Sequence, residues 1–406
     1  MPRFSFALLL LSLIGHFSFA KTLHVGKGRG YANINTAAKA AVAGDTILVH
    51  NGTYPGNQTI DNLQGTRNKW IYILGEEKSA VSINGGSAAL MGNDVAYLHI
   101  EGFTFSQQTD NGVNISDGAS YASPSHHIIF KDCIFRDIAT TGNNDQLKLS
   151  GVDEFTIFQC TFINGSPGGS GIDMVGCHKG LISKCLFEKS GSNAAQMKGG
   201  SSEIRIEGCL FKNAGERAIN LGGSTGLPFF RPMDAKWEAS DLKVYGNVFI
   251  GSDVPVAFVG CTRVEVVNNT IYKPTHWVLR ILQENRDTVR FGKCSNNIFR
   301  NNVIFMDDKV RVVCNAGPGT VPTSFTFSNN AWYRTGIALN SVQLPAAEKN
   351  AIIGKDPLFS NPATEDFTID AASPLSGAGM QVTQPQRDHN GKPFKIKRSI
   401  GAFEVK

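Results

Sequence analysis

A short phrase recurs along the middle of the chain and limits what it can fold into. Cys133-Ile134-Phe135, Cys160-Thr161-Phe162, Cys185-Leu186-Phe187 and Cys209-Leu210-Phe211 each close a short run with β patterning. The position then becomes asparagine in Asn247-Val248-Phe249, Asn269-Thr270-Ile271, Asn302-Val303-Ile304 and Asn330-Ala331-Trp332, and Phe103-Thr104-Phe105 reads as an earlier copy. Spacing is mostly 22 to 30 residues, with longer gaps from 209 to 247 and from 269 to 302. A repeat of that length, built from short strands, predicts the stacked coils of a solenoid. Each position then lies over its equivalent one coil earlier, so residues far apart in sequence become neighbours in a known order.

Composition agrees. Among 406 residues there are 43 glycines and only 18% charged residues, as expected of a turn-rich all-β protein. The first twenty residues stand apart: Arg3, an apolar run from Phe6 to Gly15, then Ser18-Phe19-Ala20. They read as a signal peptide, with 21–406 forming one domain that is secreted or periplasmic. Removing Arg3 from a formal charge of +5 leaves about +4. That excess suits an acidic polysaccharide as partner, with no nucleic acid, and nothing after residue 20 is apolar enough for membrane insertion. A monomer is expected.

Eight cysteines in an exported chain ordinarily suggest disulfides. Here Cys133, Cys160, Cys185 and Cys209 share one coil position and are expected to stack as buried thiols, with the asparagines continuing the ladder through their amides. Cys177 and Cys261 share a second slot. Cys294 and Cys314 are left as a pair that a loop could join.

The phrase "AAKAAVAGDTILVHNGTY" and the tail segments "DPLFSNPATEDFTI", "ASPLSGAGM" and "DHNGKPFKIKRSIGAFE" resemble the pectate-lyase-like superfamily of right-handed parallel β-helices. The resemblance implies an all-β parallel β-helix over nearly all of the chain after residue 20, with the apolar positions between Ile34 and Ala43 forming an N-terminal capping helix. Fold does not dictate reaction in such a superfamily, which holds lyases, hydrolases, epimerases, esterases and adhesins. Counting from the ladder residues puts Val113/Ile115, Leu147/Leu149, Ile172/Met174, Ala195/Met197, Ile219/Leu221, Val256/Phe258 and Leu279/Ile281 in register, facing inward. The residues between them, Asn114, Lys148, Asp173, Gln196, Asn220, Ala257 and Arg280, then form an outward row suited to an extended chain.

The chemistry concentrates near this row. Lys198 lies one strand step beyond Gln196, and Glu216 and Arg217 precede Asn220. An insertion at about 223–240 carries Phe229, Phe230, Arg231, Asp234, Lys236 and Trp237, a mixture of rings and charges fit to grip sugars. Elimination from a uronate needs a base for the C5 proton and a positive group, or a Ca²⁺ ion, to neutralise the carboxylate. The stretch "AAQMKGGSSEIRIEGCLFKNAGERAINLGG" is similar to the alginate-lyase and chondroitinase-B family, which implies Lys198 as base and Arg217 as its acid or carboxylate partner. Where that family has two acidic Ca²⁺ ligands before the lysine, Gly191, Ser192 and Asn193 stand here, so the cofactor stays open.

The expected function is therefore a polysaccharide lyase acting on a uronate-containing chain, with Lys198, Arg217 and Arg280 catalytic. Lys148, Asp173, Gln196, Asn220, Glu216, Arg231, Trp237 and His276 would bind substrate. A glycoside hydrolase pairing carboxylates from among Asp145, Asp173 and Glu216, of which Asp173 and Glu216 would lie two coils apart, a uronate epimerase and a glycan-binding protein are the competing readings.

Overall fold

The computed structural model describes residues 20–406 apart from 121 and 140; the proposed signal peptide therefore lies, Ala20 excepted, outside the described residues. From Thr22 onward the chain winds through three long parallel sheets in turn. The first has thirteen strands, from Thr22–Val25 to Glu348–Lys349. The second has twelve, from Gly52–Pro55 to Ile352–Ile353, and the third ten, from Gln58–Thr59 to Cys314–Ala316. One turn of the coil is Ser125–Lys131, Ile134–Arg136 and Leu147–Ser150, in that order of sheets. A fourth, short sheet joins Ser201–Ser202, Ala239–Ser240 and Cys261–Thr262. A helix at Ile34–Ala40, N-capped by the Asn33 side chain on Thr36 N, buries Ile34, Ala37 and Ala38 beside the first coils.

The repeat follows from one backbone device. The chain passes from the first sheet to the second through a residue in the left-handed region: Asp132, Gln159, Lys184, Asn268, Asn301 and Asn329 all have φ between 51 and 56°. The ladder residue comes next and points inward. Cys133, Cys160, Cys185 and Cys209 are buried free thiols at this point. From Asn247 the slot is polar and fully satisfied. Asn247 Nδ2 donates to Asn269 Oδ1 at 3.0 Å, Asn269 to Asn302 at 2.9 Å, and Asn302 to Asn330 at 3.1 Å. Asn330 in turn donates to Glu348. A buried amide without partners is costly, so the asparagines hold only as a run. Two residues on, Phe135, Phe162, Phe187, Phe211 and Phe249 stack at 4.7–4.8 Å, the spacing of the coils themselves.

The second cysteine slot is also as expected: Ser201, Ala239 and Cys261 are in register, and Cys177 lies one coil before Ser201. Cys294 is different. Its sulfur is 4.0 Å from that of Cys261, while Cys314 is a separate free thiol paired in register with Leu279 on the third sheet. The insertion between Leu282 and Cys294 shifts the column by more residues than a simple count allows.

Candidate functional site

The outward row on the third sheet has the expected register. Asn114 pairs with Lys148, Lys148 with Asp173, Asp173 with Gln196, Gln196 with Asn220, Asn220 with Ala257 and Ala257 with Arg280. Lys198 falls in a parallel row with Ser116, Ser150 and Val175, two residues further along each strand. Pleating sends both rows to the same face.

Three coils build a charge cluster there. The Asp173 carboxylate is 2% exposed and lies between two lysines. Its Oδ2 accepts from Lys148 Nζ, and its Oδ1 is 3.2 Å from Lys198 Nζ without a hydrogen-bond geometry. Lys148 also donates to Asp145 at 3.2 Å. Burial opposes the charge on Lys148, but the carboxylates of Asp173 and Asp145 outweigh it and raise its pKa. Burial, with Asp173 adding to it, pushes the Asp145 carboxyl up to about 6 despite Lys148. Lys148 is thus a fixed cation held by two acids, and Lys198 is the more loosely held of the two amines.

A cavity of about 560 Å³ opens over this cluster, lined by Lys148, Lys198, Asp117, Ser150, Phe229 and Arg231 among others. Its roof is the inserted loop between Gly222 and Ala239, and two buried tethers hold it. Glu238 accepts from Gly199 N and Thr225 N, each at 2.8 Å, and from Thr225 Oγ1. Arg231 reaches back to an earlier coil and bonds both oxygens of Asp153 at 2.7 Å, with further contacts to Gly176 O and His178 Nδ1. Although burial works the other way, Arg231 and His178 hold the Asp153 carboxyl well below the usual range. The Arg231 backbone crosses Gly176 so closely that a Cβ there would lie 2.6 Å from Arg231 Cβ, so only glycine fits. His178, Asp153, Glu238 and Asp117 were not singled out in the sequence, because their roles arise where the loop folds back over coils that are remote in the repeat.

The other expected site residues divide. Gln196 and Asn220 lie on the face between the cluster and its far end, Gln196 contacting Asn193 and the Gly222 carbonyl. Arg217 does not meet Lys198: its guanidinium bonds Asn220 Oδ1 at 3.4 Å and Glu284 at 2.9 Å. It lies instead near Arg280, whose pKa is lowered by burial first and by Arg217 second. Arg280 packs 4.9 Å from the Trp277 ring centre, and His276 stacks on the other part of that indole. Glu216 is exposed at this end of the face and is not aligned with Asp173, so the two do not make the expected carboxylate pair. Arg231 spends its donors on Asp153 rather than lying free. Trp237 turns away from the cavity, packing on Gly292 and under Arg263. Of the loop aromatics, Phe230 is buried against Phe291, and Phe229 is exposed at the cavity mouth. Among the described residues no group of three or more His, Cys, Asp and Glu side chains could hold a metal ion. Asp145 and Asp173 are bonded to Lys148.

A family model for the right handed beta helix region matches residues 146–230. The structure of pectate lyase Pel9A, 16% identical, superposes over 96% of this chain and 97% of its own with a TM-score of 0.61. The chain is a right-handed parallel β-helix. The A-module of the Azotobacter vinelandii mannuronan C-5 epimerase AlgE4 is similar as well, at 13% identity and TM-score 0.53 over 78% of this β-helix and 93% of the module. At these identities the likeness is one of fold. No curated protein sequence matches the β-helix.

Proposed function

We propose that this β-helix is an exported polysaccharide lyase that cleaves a uronate-containing chain by β-elimination. The observation that carries the reading is the Lys148–Asp173–Lys198 cluster on the floor of a roofed cavity on the third sheet. Elimination requires one cation to neutralise the uronate carboxylate and one amine to take the C5 proton. Lys148, fixed by Asp145 and Asp173, suits the first task. Lys198 suits the second, because a single carboxylate oxygen restrains it and substrate entry can draw Asp173 towards Lys148. Arg217 and Arg280, assigned chemistry from the sequence, belong in this reading to the grip on further uronates along the same face. Trp277 adds a stacking surface beside them. The similar proteins, a pectate lyase and a mannuronan epimerase, are named for uronate polymers, which fits this substrate class. An epimerase would share the proton-abstraction step and differ only in product.

The test is ultraviolet absorbance of unsaturated uronate from the purified protein with alginate, pectate and glycosaminoglycans, each with Ca²⁺ and with chelator. A rise on one polymer is the expected result. A flat trace with new reducing ends would replace this reading with a hydrolase.

A further inference from the structure

The proposed elimination leaves one proton unassigned. The oxygen leaving C4 needs a donor, and Arg217, the sequence candidate, is bonded to Asn220 and Glu284 away from Lys198. A second carboxyl faces the cavity. Asp117 is 8% exposed and lines the same space as Lys148 and Lys198. It has no ion pair among the described residues, and its one side-chain contact of note is Ala119 N–H donating to Oδ1 at 3.0 Å. Its Oδ2 sits directly on Gly151, 2.2 Å from where a Cβ would be, so a glycine at φ +65° makes room for the acid. Behind it lies Asp94, whose Oδ1 is buried without a hydrogen-bond partner. Burial raises the Asp117 pKa, and Asp94 adds to the rise against the pull of Ala119 N–H and Arg231.

The position suits a donor opposite Lys198. Asp117 follows Ser116, and Ser116, Ser150, Val175 and Lys198 are in register on successive coils. Three coil steps separate the backbones by about 14 Å, and the Lys198 side chain leans back over one of them, its Nζ 3.2 Å from Asp173 Oδ1. We propose that Asp117 is the proton donor to the leaving glycosidic oxygen; this rests on the lyase reading above. Lys198, as the amine, takes the C5 proton, and the freed electron pair forms the C4=C5 double bond. The C4–O bond breaks, its pair goes to oxygen, and that oxygen takes the Asp117 proton. Asp117 is left as a carboxylate and Lys198 as an ammonium, and water restores both.

The experiment compares Asp117→Asn with wild type on the natural polymer and on a uronide bearing fluoride at C4, a leaving group that needs no proton. The expected result is a loss of about 10²- to 10³-fold in kcat on the polymer with KM little changed, and a wild-type rate on the fluoride. Infrared difference spectra on titration should also show a carboxylic acid band above the ordinary aspartate range that Asp117→Asn removes, distinct from the band removed by Asp145→Asn. Equal loss on both substrates, undiminished turnover of the polymer, or no band assignable to Asp117 would overturn the donor. If wild type forms no unsaturated product on any polysaccharide, the lyase reading itself falls, a result distinguishable from an active wild type whose Asp117→Asn variant matches it.

Discussion

The two ends of the third sheet's outer face are built from the same register but solve charge differently. At one end Lys148, Asp173, Lys198 and Asp145 satisfy one another beneath a roof. At the other, Arg217 two coil steps and Arg280 four coil steps beyond Asp173 lie near each other, with Glu284, Asn315 and Trp277 as partners. Arg280 is about 19 Å from Asp173 on coil spacing. An acid–amine cluster can pass a proton as substrate enters, whereas an arginine pair stays charged and can only hold. On the proposed function the face divides chemistry from grip.

The sharpest way to break that division is Lys198→Ala. If the covered end performs the chemistry, turnover falls by about 10²- to 10⁴-fold while circular dichroism and thermal unfolding stay close to wild type. Among the described residues its ammonium meets only Asp173, as an ion pair, so folding has little to lose. Retained turnover would return the chemistry to the arginine end.

Arg231→Ala tests whether the roof makes the covered end what it is. Removing a guanidinium that fills both oxygens of Asp153 leaves a half-buried carboxylate with His178 in place of two charged bonds. The expected cost is about 2 to 3 kcal/mol, below the fully buried figure, read as a lower Tm and faster amide exchange over 224–237. The sign with pH follows from Asp153. Its folded pKa is depressed, so the pair's stability is present above the ordinary aspartate range and is lost as pH falls from there through the depressed folded value. The gap between variant and wild type should accordingly shrink in acid.

How much of this was legible in sequence depends on whether a residue obeys the repeat. The row from Asn114 to Arg280 could be aligned in advance because the ladder residue fixes the start of each coil and strand pleating fixes every second side chain after it. The aromatic and asparagine stacks follow from the same count. What could not be read lies in the insertions. Arg231 meets Asp153 only because a seventeen-residue excursion, 223–239, turns back across coils 78 residues earlier in sequence. Trp237 looked like a sugar platform by its type and instead packs on Gly292, which itself belongs to the second insertion. That insertion also brings Cys294 beside Cys261. Lys198 and Arg217 were joined by a motif resemblance, yet they sit at opposite ends of adjacent strands, with Arg217 in register with Asn193. Five steps of extended strand separate Asn193 from Lys198.

Arg280→Ala should sharpen the comparison from the open end. A cation that grips without reacting contributes to binding substrate and transition state alike, so KM rises by about tenfold, or about 1.4 kcal/mol, with kcat held. The effect should vanish for oligosaccharides too short to span both ends of the face. A fall in kcat on short substrates would place Arg280 in the chemistry after all.

The smallest effect separates the two ends by titration. Asp145 has a folded pKa raised to about 6, above that of an unfolded aspartate near 3.9. Between those values the folded protein binds a proton that the unfolded chain has released, so stability falls as pH rises through this window and the penalty is complete above it. Asparagine keeps the shape and can still accept from Ser170 N, which now donates to Asp145 Oδ1 at 2.8 Å, but it cannot ionise. Asp145→Asn should therefore gain Tm relative to wild type as pH rises from about 4 to about 6 and hold that gain above, by no more than a few degrees, because Lys148 loses one of its two acids in exchange. A variant of Asp145 whose Tm tracks wild type across the same range would mean that the covered cluster is charged throughout, and that burial does not distinguish the two ends.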